Sequence, residues 1–143
     1  MPQWLFSAAF YYIAPDGIRF YDAAASTSTL IVSVPGQSNF KLSVSPDHNI
    51  LAFSNPDADS VSFFTIGSNG RTLTPLKTLS IQGFWTVFSP DSKYVAVQVA
   101  EGQGGAAEEP ALDIFDTSSF SHVGTVRLGD LLNDHLFVTA WLE

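Results

Sequence analysis

Two stretches set 44 residues apart constrain the fold of this chain more than any other feature: Phe40 to Asp47 reads FKLSVSPD, and Phe84 to Asp91 reads FWTVFSPD. After each SPD comes an apolar run, Ile50-Leu51-Ala52-Phe53 and then Tyr94-Val95-Ala96-Val97, which is β-strand text. A third block, Val61-Ser62-Phe63-Phe64-Thr65, has its counterpart in Leu112-Asp113-Ile114-Phe115-Asp116 at an offset of 51, so the loop between the second and third blocks has grown. A fourth run closes each copy, Leu76 to Ile81 and Val123 to Leu128. Each copy is therefore four short strands in a row.

The N-terminal segment carries most of the same unit. Trp4 to Ile13 reads as a second strand, Pro15-Asp16-Gly17 as a turn, Ile18 to Asp22 as a third strand and Leu30 to Val34 as a fourth. The first strand is missing on this reading. A matching run, Leu136 to Trp141, stands at the other end and stops where an SPD turn would begin, while Met1-Pro2-Gln3 resumes the pattern at that turn. The expectation is one domain over residues 1–143 with three units: 1–37 plus a strand from 136–142, then 38–82, then 83–130.

A chain of 143 residues suits a single core, and 45% hydrophobic residues with 13% aromatics, only 14% charged residues and regularly spaced turn residues point to an all-β protein. Six Lys and Arg against fourteen Asp and Glu give a formal charge of −8, which repels phosphate backbones and anionic lipid, so neither nucleic acid nor membrane is an expected partner. With no cysteine there is no disulfide, thiolate metal site or cysteine nucleophile to invoke. Residues 4–13 form too short an apolar run to span a bilayer, and no Asn-x-Ser/Thr acceptor occurs, so cytoplasmic placement is the expectation.

Four strands per repeat at a period in the forties is the signature of a β-propeller blade. The SPD-then-strand block, with Leu112-Asp-Ile-Phe-Asp-Thr-Ser and Val123 to Leu128, resembles the YVTN and lactonase-type propeller repeats and, more loosely, WD40 repeats. The third strands end Tyr21-Asp22, Phe64-Thr65 and Phe115-Asp116, without the Trp-Asp dipeptide of WD40 repeats. The resemblance implies blades, and admits lactonase, hydrolase or isomerase activity. Propellers close with about four to eight blades. Three blades are thus expected to complete a six-bladed ring as a head-to-tail homodimer, Leu136 to Trp141 of one chain adding the inner strand to the first blade of the other; a fragment of a longer propeller, or a half paired with a different half, is the competing reading.

Pro presets φ and Asp bonds nearby amides, so Pro46, Asp47, Pro90 and Asp91 read as structural turns and not as catalytic groups. The loops joining strands two to three and four to one share one end. They hold Asp16, Asp57, Asp59, Glu101, Glu108, Glu109, Asp130 and Asp134 with no Lys or Arg, which favours a cationic partner, a basic protein patch or a metal ion. Asp130, Asn133, Asp134 and His135 form the densest polar cluster and the candidate site for a small ligand, since a His beside carboxylates can act as a base. No metal site is assigned: Asp57-Ala-Asp-Ser lacks the later Gly and Glu of a calcium loop, and three histidines fall far apart. No nucleophile elbow, zinc helix, phosphate loop or dinucleotide fingerprint occurs, and no cofactor is indicated. A binding scaffold is the first expectation, and an enzyme with a site at the channel mouth the alternative.

Overall fold

The computed structural model describes residues 3–6, 8–34, 40–99 and 111–127. Among them the strands form three antiparallel four-stranded sheets in sequence order. Blade 1 comprises β1 (Gln3–Phe6), β2 (Ala9–Ala14), β3 (Gly17–Asp22) and β4 (Thr27–Ser33). Blade 2 comprises β5 (Lys41–Val44), β6 (Ile50–Asn55), β7 (Ser60–Ile66) and β8 (Leu73–Leu79), with a 3-10 turn at Pro56–Ala58. Blade 3 comprises β9 (Gly83–Phe88), β10 (Tyr94–Val99), β11 (Ala111–Asp116) and β12 (His122–Arg127). The first strands β1, β5 and β9 adjoin one another, so they form the inner edge of the array.

One expectation is corrected here. Trp4 to Ile13 is not a single second strand: the chain reverses between Phe6 and Ala9, and β1 pairs antiparallel with β2 in the register Gln3↔Tyr11 and Trp4↔Phe10. Blade 1 thus carries its own inner strand, and the seat reserved for Leu136 to Trp141 is filled. The reversal escapes a sequence reading because Ser7-Ala8 offers only a serine, a weaker turn former than Pro, Gly, Asn or Asp. Residues 136–142 lie outside the described residues.

Period-two alternation gives every blade two faces, and the facing ones of neighbouring blades pack together. The face that blade 1 turns to blade 2 carries Tyr11, Ile18 and Phe20, which pack with Phe40, Leu42, Leu51 and Phe53 of the second unit. We call this the trailing face of blade 1 and the leading face of blade 2. The trailing face of blade 2, Ala52, Val61 and Phe63, packs in turn with Phe88, Val95, Val97 and Phe115 on the leading face of blade 3. Adjacent residues therefore separate, and Tyr11 is fully buried while Tyr12 is half-buried on the opposite face.

Close approach of backbone decides two glycines. Gly17 has φ +141 in the β2–β3 turn, and a Cβ there would stand 1.9 Å from the Val32 carbonyl oxygen. Gly83 opens β9 where a Cβ would meet Val61 at 2.4 Å and Val97 at 2.7 Å, so its hydrogen lets blade 3 seat on blade 2. Polar groups also cross that junction: the Ser43 and Thr86 hydroxyls lie 2.5 Å apart, and the Lys41 ammonium sits 5.1 Å from the Trp85 ring centroid.

Candidate functional site

Antiparallel strands in sequence order place the β2–β3, β6–β7 and β10–β11 loops at one end of the sheets, with the β4–β5 and β8–β9 connections. At this end Asp16 receives two hydrogen bonds from the Arg19 guanidinium, at 2.9 and 2.5 Å. That bond, ahead of the opposing effect of desolvation, holds the Asp16 carboxyl below its ordinary pKa. In the β6–β7 loop, the Asn55 side chain accepts from the Ala58 amide and caps the 3-10 turn. Asp59 closes it with φ 47, a left-handed conformation that Asp tolerates. The turn thereby fixes exposed Asp57 and Asp59 on a rigid strand connection.

Aspartates at the opposite end are engaged in turns. In the first Ser-Pro-Asp turn, the Ser45 hydroxyl donates to Asp47 at 2.6 Å, and Asn49 donates to the same carboxylate from its backbone and side-chain nitrogens. Ser45 Oγ also accepts from the Ile50 amide. Blade 3 repeats the arrangement: Ser89 donates to Asp91 at 2.7 Å, the Lys93 amide donates to Asp91, and the Tyr94 amide donates to Ser89 Oγ. The next residues, His48 and Ser92, both take positive φ, at 58 and 62. Ser92 further accepts from the Asp47 amide, tying the two turns across the blades. Asp22 and Asp116 bond the amides of their own β3–β4 and β11–β12 turns.

These bonds have a pH consequence. Burial alone would raise the Asp47 carboxyl, its largest single influence, but the bonds from Ser45, Asn49 and Ser92 together bring it below the ordinary range. The Ser89 hydroxyl and Lys93 amide do the same for Asp91. A depressed carboxylate pKa stabilises the fold above the unfolded-state value of about 3.9, and this stability is lost as pH falls through the folded value. The urea midpoint should accordingly drop on acidification below about pH 4. The Asp47→Asn/Asp91→Asn double variant should be weaker at neutral pH and show a shallower drop; parallel profiles would remove these turns as a source of acid sensitivity.

A polar cluster that the sequence reading missed lies on the outer strands. The fully buried Asp113 in β11 accepts a 2.6 Å bond from the Thr125 hydroxyl, and His122 Nε2 is 2.9 Å from Thr125 Oγ1 and 3.4 Å from Asp113 Oδ1. One ring nitrogen meets both neighbours, so this is no relay in which a carboxylate orients a base toward a nucleophile. Register places Ser62 and Thr78 of blade 2 at the corresponding positions, bonded through their side chains at 3.1 Å. The signal was available in the alternation, which puts Asp113 on the same face as Phe115.

Asp130, Asn133, Asp134 and His135 lie outside the described residues, as do Glu101, Glu108 and Glu109. Among the described residues, no three His, Cys, Asp or Glu side chains group as a metal centre, and no helix is long and apolar enough to cross a membrane. Asp16, Asp57 and Asp59 are the loop-end acids that the structure does place, all on the same end of the sheets.

No protein-family model and no curated protein sequence matches the chain. Solved structures do. The hydrazine synthase of Kuenenia stuttgartiensis matches with a TM-score of 0.60 and 24% identity over 84% of this chain and 35% of that one. The β-propeller domain of Cps50 (Swd1) from Myceliophteria thermophila matches with a TM-score of 0.60 and 14% identity over 85% of this chain and 40% of that one. A Bacteroides fragilis protein described as a 6-phosphogluconolactonase matches with a TM-score of 0.56 and 19% identity over 85% of this chain and 35% of that one. The likeness is one of fold, that of successive β-propeller blades, and the chain spans between 35% and 40% of the length of these three structures.

Proposed function

We propose that this chain is a β-propeller binding scaffold whose acidic loop end receives a basic protein segment. The observation that carries the reading is the capped 3-10 turn at Pro56–Ala58 on the loop end. The Asn55 cap holds this turn, and on it Asp57 and Asp59 are exposed. A rigid frame that presents carboxylates toward solvent binds a cation at little conformational cost. The sequence adds Glu101, Glu108, Glu109, Asp130 and Asp134 to the same set of loops.

A lysine-rich peptide should bind the chain at low ionic strength and be released by salt. Asp57→Asn/Asp59→Asn should weaken that binding several-fold with the thermal melt unchanged; failure to bind, or indifference to the substitutions, would sink the reading. Likeness to the Bacteroides fragilis protein supports a second reading, hydrolysis at the channel mouth using Asp134 and His135. Asp134→Asn/His135→Gln discriminates between them. Loss of a lactonase activity in a folded variant would favour catalysis, and unchanged folding with weaker peptide binding would favour the scaffold.

A further inference from the structure

Register aligns the three blades position by position. On the leading side, Tyr12 and Tyr21 of blade 1 correspond to Phe53 and Phe64 of blade 2 and to Val97 and Phe115 of blade 3. On the trailing side, Leu112 and Ile114 of blade 3 correspond to Val61 and Phe63 of blade 2. Blade 2 is covered on both sides, and Phe53, Val61 and Phe63 are buried accordingly. Tyr12, Leu112 and Ile114 stand at the positions of these three residues, yet each remains partly open, while Tyr21 is half-buried like its counterpart Phe64. Val126, paired with Leu112 on the same face, is 47% exposed. Among the described residues, the two buried clusters join blade 1 to blade 2 and blade 2 to blade 3, and neither takes in the leading face of blade 1 or the trailing face of blade 3.

What covers such faces is given by the chain itself, because twice within it a trailing face is seated on a leading face. We propose that the trailing face of blade 3, at Leu112, Ile114 and Val126, docks on the leading face of blade 1, at Tyr12 and Tyr21, of a second copy of this chain. Applied reciprocally, the contact repeats the existing blade-to-blade packing and closes a ring of about six blades, within the range that propellers adopt. The contact is heterologous, with unlike patches meeting, and it differs from strand exchange because β1 already fills the inner edge of blade 1. Its failure would leave the loop-end reading in place.

The test is sedimentation of the full chain. Wild-type protein should have a mass near twice 15.5 kDa. Val126→Asp, a mild lesion on an exposed position, and Tyr12→Asp should each raise the dissociation constant by about tenfold or more while keeping the far-ultraviolet spectrum of the wild type. Mixing the two variants should restore association above either alone, because one of the two contacts in the mixed pair is then intact on both sides. A monomeric wild type, a mass that climbs without limit with concentration, or a mixture no better than its components would each overturn the proposal.

Discussion

Gly17→Ala is expected to lower folding stability by roughly 2–5 kcal/mol, combining a strained backbone conformation with a steric clash. The residue holds φ +141, where an L side chain is rarely tolerated, and the added Cβ would stand 1.9 Å from the Val32 carbonyl oxygen and 2.8 Å from the Val34 nitrogen. Neither atom is the tip of a flexible side chain, and the Val34 amide donates to the Asp16 carbonyl at 3.0 Å, so relief requires moving the β4 end of blade 1. Domains of this size commonly have about 5–15 kcal/mol in total. Urea unfolding should therefore show a large fall in midpoint. Gly124→Ala in β12 is the matched control, because a Cβ there meets nothing within 4 Å. Equal losses at the two positions would mean that crowding at Gly17 is relieved at no cost.

Tyr11→Ala should cost about 3–5 kcal/mol, as for other large aromatic side chains removed from a packed core. Tyr11 is fully buried between blades 1 and 2, its ring edge-on to Phe20 at 5.6 Å between centroids. Its hydroxyl donates to the Gly70 carbonyl in the β7–β8 turn, so one side chain joins two blades by packing and by a hydrogen bond. Tyr11→Phe separates the two contributions: the ring stays, the Gly70 carbonyl loses a partner, and about 1 kcal/mol should go. Burial pushes the phenol up to about 12, so no change in the Tyr11→Ala deficit is expected from pH 6 to 9. Near-equal effects of Ala and Phe would place the stabilisation in the hydroxyl and contradict the packing argument.

Much of the architecture was legible because the information repeats. Phe40 to Asp47 and Phe84 to Asp91 reveal the period, and the alternation in Val61 to Thr65 and Leu112 to Asp116 marks strands with two apolar faces. What failed was local. Trp4 to Ile13 offers only Ser7 as a weak turn former, so a nearly continuous apolar run concealed the reversal that makes β1. The polar sites show a related limit. Spacing identifies the Ser-Pro-Asp segments as turns, but it does not disclose that Ser92 of one turn accepts from the Asp47 amide of the other, or that Asp113, Thr125 and His122 converge from two strands. Such contacts depend on register and on the angle between blades, neither of which is written in a stretch of consecutive residues.

Serial stacking gives the three blades unequal standing. The central sheet has a neighbour on each side, while each outer sheet is gripped on one, so nearest-neighbour coupling makes the flanks fray before the middle. A second copy seated on both flanks would abolish that inequality. The array would then have no end from which to unzip, and resistance to proteolysis would rise with protein concentration.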